Sequence, residues 1–493
     1  MSVVSGMLST ADTALSQPPG GALVAGTWRT SPRDLPVHDP ENGRVIGHVT
    51  HCSGTDVDDA VRAAVKSVGD HWPLHARIEA LGRVADLVAE RAELFAQVIA
   101  TEGVKTIGDA RNEVARCVET FRLASRSGDV LTGEVLQTGA SPRGDGRLGW
   151  FVREPIGVVG AISSFNDPLN LVAHKFAPAI LADAPIVLKP SDQTPLTALH
   201  LAQALLDSGV PAGRISVLCG GAEVGAALVS HPDIAVVSFT GGTRTGEAIT
   251  RIAGVKKLLM ELGGNNATIV CADADVDVAI GKIVAGAFGV AGQNCLSVQR
   301  VLAEQEVFEQ VQDGVVAGAA ALRVGSKQDP ATDVGPLINA DAVRRVAQLV
   351  DDAVGRGATV LTGGREDGCF YPPTVLTNVP PDAPILREEI FGPVVLIESV
   401  TTIDEAVARA NECQFALQAG IFTKSLETAT RVSQSLNVGT VLINDTSDFR
   451  LDNMPFGGFG QSGIGREGVR YAALELTAPK SVLLPALGTT PTN

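Results

Sequence analysis

The chemistry this chain could perform centres on one cysteine and one glutamate. In Phe288-Gly-Val-Ala-Gly-Gln-Asn-Cys295-Leu-Ser-Val-Gln-Arg300, a run of small residues (Gly289, Ala291, Gly292) leads to a thiol and then into a strand-like segment from Val298. A single cysteine is most often a packed thiol, since free Cys is among the most buried residue types. Two features set this one apart. The glycines are expected to leave room for a large group to approach the sulfur, and polar Gln293 and Asn294 stand where a core thiol would have apolar neighbours. Glu261-Leu-Gly-Gly lies one strand and one helix upstream. A nucleophile and a base on successive elements can meet in space, which is what covalent catalysis needs.

The elements that must position them are regular. Ile156–Ile162, Pro185–Lys189, Ile215–Leu218, Ile234–Phe239 and Lys257–Leu262 are apolar runs expected as strands. Between them, Leu169–Asp183, Pro195–Ser208, Glu223–Ser230 and Thr243–Ile252 are expected as helices. Such alternation implies a parallel sheet covered on both faces, in which ligands bind beyond the carboxyl ends of the strands. Lys189, Phe239-Thr-Gly-Gly242 and Glu261 fall at such ends and should line one crevice. A second α/β run extends from Ala267 to about Ile443. Before the first sheet, helices are expected over His75–Glu102 and Ile107–Ser127, and after Thr55. Asp129–Val152 is a turn-rich excursion that could reach a partner subunit; Glu475–Leu484 reads as extended, and residues 1–22 as a loose arm.

The totals narrow the class. The chain has 493 residues, 45% hydrophobic and 19% charged, which gives length for two domains and an appendage. A net charge of −16 argues against nucleic acid or an anionic membrane as partner. Seven scattered cysteines without a CxxC pair make neither a disulfide framework nor a zinc site. With no basic leader and no apolar run of spanning length, a reduced, cytoplasmic location is expected.

From about residue 25 to 485 the pattern resembles the aldehyde dehydrogenase superfamily. The resemblance rests on separated blocks in order: Phe165-Asn-Asp-Pro168, Lys189-Pro-Ser-Asp192, Phe239-Thr-Gly-Gly-Thr-Arg-Thr-Gly246, Glu261-Leu-Gly-Gly264, Gly292-Gln-Asn-Cys295, Glu388-Glu-Ile-Phe-Gly-Pro393, Met454-Pro-Phe-Gly-Gly458 and Ser462-Gly-Ile-Gly-Arg-Glu-Gly468. It implies an α/β fold: a Rossmann-like coenzyme domain (1–129 and 151–260), an α/β catalytic domain (261–446), a small β oligomerisation flap (130–150 and 475–493) and a return segment (447–474).

The resemblance makes Cys295 the nucleophile, and the chemistry agrees. A thiolate adding to an aldehyde gives an alkoxide that needs preorganised donors, supplied by the Asn166 amide and the Cys295 N–H. Glu261 would activate water to hydrolyse the resulting thioester. Its neighbours Leu259, Met260 and Leu262 suggest burial, which raises a carboxyl pKa. For the cofactor, the resemblance points to Ser163, Phe165, Lys189, Ser191, Asp192, Gly241, Gly242, Thr243, Gly246, Leu262, Glu389 and Phe391. Gly241–Gly246 opens a helix, whose N–H groups attract phosphate. Asp192 replaces the usual Glu yet keeps a carboxylate that repels a 2′-phosphate, favouring NAD while leaving NADP open. Arg116, Asp167 and Arg450 occupy substrate-funnel positions; the two arginines could grip an acid group. Asn294 stands where relatives handling phosphorylated or phosphono aldehydes often carry Arg.

The sequence therefore reads as an NAD-dependent dehydrogenase of a small polar or anionic aldehyde, assembled as a homodimer or homotetramer. Rival readings are a coenzyme A-acylating semialdehyde dehydrogenase, a phosphono- or phospho-aldehyde dehydrogenase, and a non-catalytic dinucleotide-binding or structural protein on the same scaffold.

Overall fold

A computed structural model describes residues 20–31 and 33–485. Most of the expected N-terminal arm, and the last residues of the expected flap, lie outside them. The first sheet has eight strands in the order Thr27–Arg29, Ala22–Val24, Ile215–Val217, Ile186–Lys189, Val158–Ile162, Ile234–Thr240, Lys257–Glu261, Gly463–Ile464. Its five central strands run parallel, and the added edges are antiparallel. The strand order reverses between Val158–Ile162 and Ile234–Thr240, so a crevice opens at their carboxyl ends. Apolar clusters cover both faces, one around Phe95, Phe121 and Phe176 and the other around Val187, Val237 and Met260. That double burial explains why these strands are unbroken apolar runs.

The second sheet has seven strands, ordered Thr359–Thr362, Thr374–Thr377, Val394–Val400, Val298–Glu304, Asn266–Val270, Gln418–Phe422, Thr440–Ile443. All but the first run parallel. Glu261 ends a strand of the first sheet, while Cys295 precedes Val298–Glu304 of the second. The two residues therefore meet at the seam between the sheets. A third, antiparallel sheet joins Glu134–Leu136, Leu148–Pro155 and Thr477–Leu484.

Three expectations need correction. His75–Glu102 is two helices, Leu74–Glu90 and Ala92–Glu102, broken at Arg91, whose ψ of 21° departs from helical geometry. The extended tail starts at Thr477, because Val469–Glu475 is a helix. Gly292 does not clear space for a ligand. After helix Val276–Phe288 the chain turns left-handed through Val290, Ala291 and Gly292 (φ 54°, 53° and 66°), and a Cβ on Gly292 would lie 2.1 Å from the Gly392 carbonyl oxygen. The glycine is required by close backbone approach and by its positive φ.

Candidate active site

Side-chain bonds from beneath fix the cysteine loop. Asn266 Nδ2 donates to the carbonyls of Cys295 (2.7 Å) and Ser297 (3.0 Å), and buried Gln293 bonds Pro336 O and Ile338 N. Asn294 Oδ1 accepts from Leu296 N at 3.1 Å and lies 3.8 Å from Cys295 Sγ. Burial pushes the Cys295 thiol up, Glu389 and Glu261 add to that, and Arg450 opposes it. The resting group is thus a thiol that must lose its proton before attack.

Glu261 is buried, and among the described residues its Oε2 has no hydrogen-bond partner. Burial first, then the neighbouring Glu467 carboxylate, raise its carboxyl well above the usual range, against Arg450, Lys175 and Arg466. Glu467 behaves oppositely: burial works to raise it, but Lys175, Arg450 and His174 hold it below its ordinary value. Lys175 Nζ lies 3.6 Å from Glu467 and donates to Thr240 Oγ1 at 2.8 Å. Neither Lys175 nor Glu467 was singled out from sequence. The available signal was a lysine inside the apolar run Leu171–Leu181 and the acid in Gly465-Arg-Glu-Gly468.

Asn166 lies on the loop between Val158–Ile162 and helix Asn170–Leu181. Glu113 Oε1 accepts from Leu169 N (2.7 Å) and Asn170 N (2.9 Å), which anchors that helix start. Ser164 Oγ donates to Asn166 Oδ1 at 2.8 Å, and Asn166 lines the cavity wall beside Cys295.

Two cavities meet at Cys295. The larger, about 880 Å³, is lined by Ser163, Phe165, Asn166, Lys189, Ser191, Asp192, Gly241, Gly242, Thr243, Glu261, Leu262, Glu389 and Phe391 as well as Cys295. Every expected cofactor residue is on its wall except Gly246. Gly246 instead packs under Leu262, where a Cβ would come within 2.6 Å of Leu262 Cδ2. The cleft suits an elongated anionic ligand: helix Thr243–Ile252 presents its first turn there. Among the described residues, Lys189 Nζ bonds only the Pro190 carbonyl, at 3.0 Å, and the buried Ser163 hydroxyl has no partner. Phe165 and Phe391 meet edge to face, centroids 5.8 Å apart. Glu389 accepts from Gly264 N at 3.1 Å, and burial pushes its carboxyl up to about 7.

The smaller cavity, about 290 Å³, shares Cys295 and Asn166 and brings in Arg116, Asp167 and Arg450. Both arginines are already engaged. Arg116 pairs with Asp452 (2.9 Å) and Asp167 (3.5 Å); Arg450 pairs with Glu467 (3.2 Å) and stacks over Phe456. Lys105, Asp109, Glu113 and Asp448 line the same wall and were missed in the sequence, because nothing local distinguishes them from surface charges.

A cysteine, an amide and a buried carboxylate thus line one large cleft. The aldehyde dehydrogenase family model matches residues 28–482, and the chain belongs to that family. It is an NAD(P)-dependent oxidoreductase of that class. The chain is 43% identical to aspartate-semialdehyde dehydrogenase 1 of Pseudomonas canavaninivorans, over 92% of this chain and 97% of that protein. Aldehyde dehydrogenase 21 from Physcomitrella patens, solved with the reaction product succinate, superposes with a TM-score of 0.92 at 35% identity, covering 96% and 99% of the two chains. NADP-dependent glyceraldehyde-3-phosphate dehydrogenase from Bacillus halodurans, complexed with NADP, gives 0.92 at 35%, covering 95% and 99%. Among the described residues, no helix is long and apolar enough to cross a membrane, and no cluster is arranged to hold a metal ion.

Proposed function

We propose that the protein oxidises a small polar or acid-bearing aldehyde to the carboxylic acid through a thioester on Cys295. The observation carrying this reading is that Cys295 and Asn166 line both cavities, so a carbonyl entering through the smaller one meets the thiol beside the larger. Cys295 loses its proton and adds to the carbonyl carbon. Asn166 Nδ2 and the Cys295 N–H stabilise the alkoxide that forms. When bound, NAD(P) supplies the hydride acceptor that makes thioester formation an oxidation. Lys189, Ser191 and Asp192 would hold its adenosine end, Gly241–Thr243 its phosphates, and Glu389 with Phe391 its nicotinamide end. Glu261, whose proton affinity burial has raised, takes a proton from water as that water attacks the thioester.

Acid groups on the substrates or product of the three related proteins support an acid-bearing aldehyde, and the Asp192 carboxylate supports NAD over NADP. The exposed apolar side chains Val135, Leu148, Val152 and Leu483 on the third sheet support self-association through it. The test is NAD(P)H formation with a panel of short aldehydes in wild type and Cys295→Ala. Turnover lost in the variant supports the reading. No turnover of any acid-bearing aldehyde, with dinucleotide still bound, contradicts it.

A further inference from the structure

The smaller cavity has an unbalanced wall. Its ionisable lining comprises Lys105, Arg116 and Arg450 against Asp109, Glu113, Asp167 and Asp448. Every cation is committed: Lys105 to Glu113 (2.9 Å) and Asp167, Arg116 to Asp452 and Asp167, Arg450 to Glu467. Asp448 is not. Among the described residues its carboxylate has one hydrogen bond, Asn294 Nδ2 donating to Oδ1 at 2.6 Å, and no ion pair. Asp109 is occupied only by Thr106, the cap of its own helix. Among the described residues, the lining groups left without an opposite charge are therefore both acids.

Asn294 ties Asp448 to the reacting atom. The side-chain amide that donates to Asp448 turns its oxygen toward Leu296 N and lies 3.8 Å from Cys295 Sγ. Asp448 thus stands one amide away from the thiol, within reach of a substituent a few bonds from the carbonyl. An aldehyde carrying only acid groups would set its charge against this carboxylate. An ammonium group would pair with it by a charge-assisted hydrogen bond. Arg116, with guanidinium N–H groups beyond those its two aspartates use, remains available for an acid group.

We propose that Asp448 is a specificity-determining residue that binds a substrate ammonium group, so that amino-acid semialdehydes are preferred to acid semialdehydes lacking nitrogen. This rests on the oxidative reading above and refines its substrate class. Burial pushes the Asp448 carboxyl up to about 7, with Arg116 and the Asn294 amide pulling against that. A cationic substrate supplies the countercharge that favours its ionised form.

Aspartate semialdehyde and succinate semialdehyde form a matched pair, one carbon skeleton with and without the ammonium. In the wild type, kcat/KM should favour the amino compound by about tenfold or more, as a hydrogen bond between charged groups implies. Asp448→Asn keeps an acceptor for Asn294 and removes the charge, and should lower that ratio by about tenfold. A purely structural role would depress both substrates in parallel and leave the ratio unmoved. A wild type that prefers succinate semialdehyde, or a variant with an unchanged ratio, overturns the inference. Oxidation of neither aldehyde overturns this inference, and the oxidative reading falls with it only when every other acid-bearing aldehyde of the panel is also left unoxidised.

Discussion

The two cavities that meet at Cys295 are built by different means. The larger is made of strand ends, a helix start and backbone turns at the carboxyl edge of the first sheet, and among the described residues no ion pair links one of its charged lining groups to another. The smaller is walled by side chains brought together from distant parts of the chain, with Lys105, Arg116 and Asp167 interlocked by ion pairs and Asp448 beside them in none among the described residues. One follows from topology, since a switch point in a parallel sheet creates a crevice whatever the side chains. The other follows from pairings that topology does not dictate. On the proposed function, the first would carry a chemistry shared across the family and the second would choose the substrate.

The comparison can be broken most sharply at the thiol the two share. Cys295→Ala should lower aldehyde oxidation by about a thousandfold or more, while dinucleotide binding, followed by fluorescence titration, stays intact. Next is Glu261→Gln, which should slow steady-state turnover by about a hundred- to ten-thousandfold. The raised proton affinities of Glu261 and Cys295 carry a sign: each is in its reactive, deprotonated form only as pH climbs. Wild-type turnover should therefore increase from about pH 6 to about pH 9. A rate that falls over that interval would mean that neither group titrates in the reaction. Asn166→Ala should lower kcat by about a hundred- to a thousandfold, the scale for losing one oxyanion donor, with dinucleotide affinity unmoved. The smallest effect belongs to the larger cavity alone. Asp192→Ser should raise the NADP-to-NAD ratio of kcat/KM by about tenfold, and an unchanged ratio would remove Asp192 from cofactor choice.

How far sequence carries follows the same division. Lys189 and Glu261 were placed because an apolar strand announces its own end, and the helix at Thr243 because its glycines open it. Gly292 was misjudged because a glycine beside a binding loop signals close approach without saying of what. Here the approaching group is the Gly392 backbone, as Leu262 is at Gly246. The break at Arg91 escaped because apolar periodicity runs on across it. Arg116 and Arg450 line the smaller cavity, but their commitment to Asp452 and Glu467 depends on residues far along the chain. The charge balance of that wall, and the isolation of Asp448 within it, is a property of the folded molecule.

The central claim is that Cys295 carries the acyl group and Glu261 releases it. Rapid mixing of Glu261→Gln with aldehyde and NAD, followed by NADH absorbance and peptide mass spectrometry, tests both halves together. The account predicts a stoichiometric burst of NADH, then slow turnover, with the acyl group on the Cys295 peptide. A missing burst, or an acyl group on another half-buried thiol such as Cys369 or Cys413, would contradict it.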